Sequence, residues 1–450
     1  YRYELGPAGY DAPAGRVNGR ITLKRQFEIQ GGALLYYFDC NQNVWDEALR
    51  EALSQHASSR MKAIVETIQR EQDVIIRNAE HDLVQVEGVA GSGKTSVALH
   101  RVAFLMYQEL SNPLSAGDIR ILSPNTLFSD YISGVLPDLG ERNVQPLTLE
   151  QLLDAVYPHR IPHDRRSVTL ERLATLPPGR ERDLARQDLA FKTSAAMRTL
   201  LDRLLALYER RLPLRDVTVG AVTVLTREEL LGFVRNNRVG LTLGGRLQAL
   251  ESVILEAARP YRRRRIDRLR ALLREKAIDD AAVLSRLAAQ EAQQFLDGVR
   301  ALTRVSALTV YRRLYEDPAL FRAAARGLEL PEDLPEIARR TAEDLAHGRL
   351  PYADSLAVLY LESRLHRHNA LLSVRQVVVD ESQDYGDLVW ATLYGLYPNA
   401  RYTLLGDPHQ ALTQPQSPDL ARRIPTLLHK PHALRVSLRQ GFRSSYEITA

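Results

Sequence analysis

Leu83-Val84-Gln85-Val86-Glu87-Gly88-Val89-Ala90-Gly91-Ser92-Gly93-Lys94-Thr95 reads as a short apolar strand, a glycine-rich turn and the opening of a helix that runs to about Leu110. Gly88 to Thr95 matches the eight-residue phosphate loop, in the strand-to-helix context that motif requires. The glycines let successive backbone N–H groups turn inward onto phosphate oxygens, and the helix N-terminus adds its positive dipole end. Gly88, Val89, Ala90, Gly91, Ser92, Gly93, Lys94, Thr95 and Ser96 are therefore the candidate nucleotide contacts. Lys94 is expected to reach the β and γ phosphates and Thr95 to offer its hydroxyl to Mg²⁺.

Outward from this stretch, Asp118 to Ser123 reads as the next strand, and strand signals return at Val374–Val379 and Tyr402–Leu405, each soon followed by an acidic residue. Between them, residues 141–368 are rich in Arg, Leu and Ala at helical spacing, broken by Pro177-Pro178, Gly244-Gly245 and Pro331. Upstream, alternating apolar residues from Arg20 to Cys40 flank Gly31-Gly32, as in a β-hairpin. Residues 46–77 carry helical spacing through Leu49, Leu53, Met61, Ile64, Val65 and Ile68. The expected class is α/β: a β-rich lead-in over 1–45, a parallel-sheet domain in two parts at 46–140 and 369–450, and a helical insertion over 141–368. Ligands should sit at the carboxyl ends of the strands.

Composition sets limits on function. The 450 residues, 45% of them hydrophobic, exceed one ordinary domain. A formal charge of +5 permits a nucleic-acid or acidic partner without demanding one. Six lysines stand against 54 arginines, which fits a GC-rich genome at least as well as a need for bidentate phosphate contacts. Cys40 is the sole cysteine, so no internal disulfide and no cysteine-based metal site can form. No run of 18 apolar residues occurs, and a cytoplasmic location is expected. Tyr1 in place of Met and an uncapped helical pattern at Tyr446–Ala450 read as the ends of a fragment.

Val377-Val378-Val379-Asp380-Glu381 supplies what a phosphate loop lacks. A buried strand ends in two carboxylates, Asp380 to hold Mg²⁺ through water and Glu381 to orient and deprotonate an attacking water. Three stretches follow in order: Asp380-Glu381-Ser382-Gln383-Asp384, Leu404-Leu405-Gly406-Asp407-Pro408-His409-Gln410, and Leu438-Arg439-Gln440-Gly441-Phe442-Arg443-Ser444-Ser445. Together they resemble the boxes of UvrD/Rep-like superfamily 1 helicases. That resemblance implies a RecA-like P-loop domain hydrolysing ATP with Mg²⁺. It implies that Gln383 and Gln410 sense the γ-phosphate and the water, that Arg443 stabilises transition-state charge, and that Phe442 stacks on the base with Arg101 lining the same cleft. Gln72, sixteen residues before Gly88, stands where the family keeps an adenine-reading glutamine. Ser123-Pro124-Asn125-Thr126, with Phe128 or Tyr131, matches a segment that touches single-stranded DNA.

The resemblance is nearest to the HelD branch, through Leu23-Lys24-Arg25-Gln26, Tyr36-Tyr37-Phe38-Asp39, the Met61–Gln69 helix and Ser96-Val97-Ala98-Leu99-His100-Arg101. It spans residues 20–130 and 370–450 and is loose across 140–365. It implies a second RecA-like domain after Ala450, poor ATP hydrolysis by this chain alone, and bacterial RNA polymerase as partner, with DNA bound single-stranded or in transcription complexes. Where DNA-unwinding members continue with a stacking aromatic, this chain has Ala411-Leu412-Thr413-Gln414-Pro415, which weighs against processive unwinding. A 3′-to-5′ repair helicase and a non-motor, nucleotide-sensing module remain alternatives. Within the insertion, Arg259, Arg262, Arg263, Arg264, Arg265, Arg268, Arg270 and Arg274 form a basic cluster that suits a phosphate or carboxylate surface, or else a solvated, ion-paired helix.

Overall fold

The computed structural model describes residues 6–12, 15–23, 25–30, 33–39, 72–89, 92–108, 114–123, 146–157, 162–236, 240–275, 281–407, 409–410 and 420–438. The chain divides into two compact units. One comprises residues 1–148, 374–384 and 399–450; the other comprises 149–373 and 385–398.

The first unit is α/β, built on a six-stranded, wholly parallel sheet. Its strands are β5 (Leu83–Gly88), β6 (Ile119–Leu122), β7 (Pro146–Leu147), β10 (Gln376–Val379), β11 (Arg401–Gly406) and β12 (Ala433–Leu438), in the order β12-β5-β11-β10-β6-β7. The strands are near-continuous apolar runs because both faces are covered, as parallel sheets require. All four residues of β10 are buried, and only Glu87 of β5 is partly exposed. Helix α1 (Lys94–Gln108) follows β5 and contributes Val97, Ala98, Leu99, Val102 and Leu105 to a core shared with Ile75, Val84, Val86, Ile119, Ile121, Val378 and Leu405. From β5 the chain goes on to β6 toward one edge; from the adjacent β11 it goes on to β12 toward the other. Neighbouring strands whose continuations diverge leave a crevice at their carboxyl ends, where ligands bind in open parallel sheets.

Two antiparallel ribbons belong to the same unit. The glycine-turn hairpin expected before Cys40 is present as β3 (Arg25–Gln30) and β4 (Ala33–Asp39), with Ile29 opposite Leu34. Ile21 lies instead in a second hairpin, β1 (Gly6–Ala12) with β2 (Gly15–Ile21), which no alternation in the sequence announces. Of the helical stretch expected over 46–77, the described part, 72–77, is helical; 46–71 lies outside the described residues.

The second unit is helical. In chain order it holds α2 (Leu149–Val156), α3 (Arg166–Thr175), α4 (Arg180–Thr193), α5 (Ala195–Arg210), α6 (Arg227–Arg235), α7 (Leu243–Glu275), α8 (Ala281–Thr303), α9 (Ala307–Glu316), α10 (Pro318–Ala325), α11 (Leu334–Ala346), α12 (Tyr352–Leu365), α13 (Asn369–Leu372) and α14 (Asp387–Leu396). Local chemistry sets several boundaries. The Ser194 hydroxyl accepts from Met197 N to cap α5, Asp317 accepts from Ala319 N and Leu320 N ahead of Pro318 in α10, and Thr226 with Glu229 forms a capping box on α6. A short hairpin, β8 (Val217–Val219) with β9 (Val222–Leu225), interrupts the helices. Gly244-Gly245, expected as a break, instead opens α7. A side chain at Gly244 would collide with the His366 ring, so glycine there permits close packing. Helix α12 is buried on every side, with Arg364 the one residue not covered. No helix among the described residues is long and apolar enough to cross a membrane.

Candidate active site

The phosphate loop, the acidic pair and the Gly406-Asp407 turn leave the carboxyl ends of β5, β10 and β11, which the register sets side by side. Gly88 ends β5 directly against Leu438, the last residue of β12. A Cβ at Gly88 would fall 2.5 Å from Ser92 Oγ and 3.1 Å from Leu438 Cβ, so any side chain there would force the Ser92 hydroxyl and the end of β12 to shift. Gly93 has φ +81°, the left-handed region that glycine occupies without steric cost. Val97 N donates to Gly93 O at 2.9 Å, beginning the helical ladder. Ala90 and Gly91 lie outside the described residues.

Lys94 folds its ammonium back over the loop, donating to Gly88 O at 2.6 Å and Val89 O at 3.0 Å. A cation held over loop carbonyls is placed to move onto an incoming phosphate. Thr95 and Ser96 are half-buried on the first turn of α1. Ser92 Oγ is buried and makes no hydrogen bond among the described residues.

Asp380 is 5% exposed. Burial pushes its carboxyl up to about 7; the adjacent Glu381 adds to the rise, while the Glu381 amide and Lys94 act the other way. Its carboxylate accepts from Glu381 N at 3.0 Å, and no salt bridge neutralises it among the described residues. A nearly buried carboxylate without a bonded cation fits a site for a hard divalent ion such as Mg²⁺.

Glu381 has φ +48°, rare for a side chain of this kind and costing on the order of 1 kcal/mol. It is held by Asp384 N donating to Glu381 O at 2.9 Å and by Gln383 Nε2 donating to Glu381 Oε2 at 2.6 Å. The other end of the Gln383 amide, Oε1, accepts from Asp407 N at 3.0 Å. Gln383 thus joins the carboxylate after β10 to the turn after β11. Gly406 makes room for it, since a Cβ there would meet Ser382 Oγ at 2.5 Å and Gln383 Oε1 at 3.0 Å. Asp407, to which the sequence motifs assign no role, is 3% exposed and accepts from His409 N at 3.0 Å, so it shapes the turn that carries Gln410. Gln410 itself is exposed.

Gln72 stands beside the loop: a Cβ on Gly93 would lie 3.2 Å from Gln72 Nε2. Arg101 is placed differently from the cleft-lining expectation. It lies 1% exposed two turns into α1, donating through Nε to Thr403 Oγ1 at 3.0 Å and through Nη1 to Ile75 O at 2.7 Å and to Asn78 O. Burial, with Arg401 adding to it, pulls its guanidinium down to about 10, so it stays charged at neutral pH. Two of its donations go to the segment that carries Gln72 and one to β11, so it faces these groups in place of nucleotide. Ser123 is buried after β6. Pro124, Asn125, Thr126, Phe128, Tyr131, Phe442 and Arg443 lie outside the described residues.

No known protein-family model matches this chain, and no curated protein is significantly similar to it.

Proposed function

We propose that this chain is the ATP-binding half of a superfamily 1 motor of the UvrD type, nearest the HelD branch, with a RecA-like P-loop domain. Its work is to couple ATP hydrolysis to the remodelling of nucleic acid in complexes with RNA polymerase. The observation that carries the reading is the meeting of Lys94, Asp380, Glu381 and Gln383 at the carboxyl ends of neighbouring parallel strands. A phosphate-binding lysine, a metal-fit carboxylate and a second carboxylate oriented by an amide are the parts that phosphoryl transfer to water needs.

In this reading the Gly88–Thr95 loop binds the triphosphate, Lys94 leaves its loop carbonyls for the β and γ oxygens, and Gln72 reads the adenine edge. Asp380 and Thr95 would hold Mg²⁺, which when bound neutralises charge developing on the phosphates. Glu381 orients the attacking water and takes its proton. Gln383, bonded to both Glu381 and the Asp407 amide, reports the state of that carboxylate to the turn bearing Gln410. Phe442 and Arg443 are proposed to complete the site as base platform and charge stabiliser.

The test is Glu381→Gln in the full-length protein. ATP binding should persist while turnover falls by about 10²-fold or more, the scale of a lost general base. Unchanged turnover would sink the motor reading and favour a nucleotide-sensing module.

A further inference from the structure

Helices α7 and α8 form an antiparallel hairpin. Thr303 donates to Glu251, Arg262 lies 5.2 Å over the Phe295 ring, and Arg265 pairs with Glu291, so positions rise on one helix as they fall on the other. From Arg259 to Glu275 the outer half of α7 carries eight arginines against Asp267 and Glu275. A solvated, internally neutralised helix would have spent those charges, and part of them is left over. Arg265 is held by Glu291 and Arg262 by Phe295, and these two fasten the hairpin. Arg270 reaches Asp267 at 3.2 Å and Arg259 reaches Glu256 only at 3.8 Å. Arg263 and Arg268 are exposed and have no carboxylate partner among the described residues.

At 3.6 residues per turn, Arg259, Arg263 and Arg270 fall within about 40° of one another, on one flank of the face that packs on α8. Arg264 and Arg268 lie one turn apart on the far flank, all five exposed. Duplex nucleic acid presents one charge per roughly 1.7 Å of axis, so a row of cations about 6 to 10 Å apart meets phosphates wherever it lands. Single-stranded binding would need exposed rings for bases to stack on. The only aromatics on the two helices, Tyr261 and Phe295, are half-buried beneath Arg264 and Arg262. The arm offers charge without a stacking platform.

We propose that the outer half of the α7–α8 hairpin is a duplex-binding arm that holds the sugar–phosphate backbone of double-stranded nucleic acid without reading its sequence. The proposal adds a binding surface to the motor reading and rests on that reading only for its purpose; the binding itself needs no nucleotide.

Full-length protein is titrated against a labelled random-sequence duplex at about 50 and 200 mM salt. The combined variant Arg259→Gln, Arg263→Gln, Arg268→Gln is compared with the parent, with thermal melting as the control for folding. The variant should melt as the parent does, keep its basal ATP hydrolysis, and bind duplex at least tenfold more weakly. The slope of log affinity on log salt should shrink by about 2 to 3, near 0.9 for each phosphate that the variant no longer neutralises. Duplex affinity and slope unchanged in a folded variant would overturn the proposal. So would tighter binding to single strands of the same length, or binding to polyglutamate with none to duplex, which would mark an acidic protein surface as the partner. Lys94→Ala separates the two readings: it should abolish ATP hydrolysis and leave duplex affinity intact, and hydrolysis unaffected by it would remove the motor reading while the arm stands.

Discussion

Each unit buries a charged group, and the two are treated in opposite ways. In the helical unit Lys192, 2% exposed, donates to Thr341 Oγ1 and Asp354 Oδ2 and pairs with the Asp188 carboxylate, each at 2.8 Å. Tyr311 donates to the other oxygen of Asp354 at 2.6 Å, and the Thr341 hydroxyl donates on to Ile337 O. Burial works against the ammonium, but Asp354 and Asp188 more than offset it and hold Lys192 above the usual lysine range. In the sheet unit Asp380 is buried with a single amide for company, and its carboxyl rises. A buried charge with its partners in place fastens a fold; one with no bonded cation is open to a ligand.

The strongest way to break this contrast is to remove the buried ammonium. Lys192→Met should cost about 3–5 kcal/mol in denaturant unfolding, because Asp354 and Asp188 are left without their cation. A loss under about 1 kcal/mol would mean that the carboxylates are simply protonated and that the network is not a fastener.

Arg101→Met comes next, at about 1–3 kcal/mol for carbonyls left unpaired. Its sharper readout is nucleotide choice. With Ile75 and Asn78 released, Gln72 should lose its place beside Gly93, and the preference for ATP over GTP should fall while phosphate binding by Lys94 persists. Preference unaltered would return Arg101 to plain packing.

Glu362 supplies a pH test of the helical unit. Burial raises its carboxyl to about 7. A raised acid makes the folded state the better proton binder between its unfolded value near 4.3 and about 7, so stability falls as pH climbs through that window. Melting temperature should drop from pH 5 to pH 8, and Glu362→Gln should flatten the drop; an equally steep variant would place the effect elsewhere. The smallest expected effect on stability is Asp380→Asn, neutral to slightly stabilising above pH 7, since it removes a charge whose burial outweighs the help of the Glu381 amide and Lys94. A loss of several kcal/mol would show that Asp380 is structural after all and would erase the comparison.

What was legible in the sequence depended on range. The phosphate loop, β10 with its acidic pair and the Gly406-Asp407 turn are each a few adjacent residues whose types encode strand, turn and charge together. Their meeting was not encoded locally: the strand order and the Gln383 amide spanning β10 and β11 come from pairings between distant segments. Arg101 illustrates the limit. Its partners are two carbonyls, which have no sequence identity, and Thr403, far along the chain. Lys192 carried no signal either, being one polar residue in an amphipathic run whose acids lie one turn before it and 162 residues beyond it. The β8–β9 hairpin is too short for its alternation to stand out, whereas β12 does alternate, Leu434, Val436 and Leu438 against Arg435 and Ser437, and lay within reach of the sequence.

The position of β5 in the sheet bears on how the molecule is made. Its two neighbours, β11 and β12, emerge from the ribosome more than about 300 residues after it, a wait of roughly 15 to 60 s at ordinary translation rates. Until then β5, already carrying the glycine loop, has both edges open. Such long-range parallel pairing is slow to close and exposed to aggregation. During synthesis this strand is therefore the segment most in need of shelter by a chaperone, and destabilising changes in β11 or β12 should reduce soluble yield before they touch the chemistry.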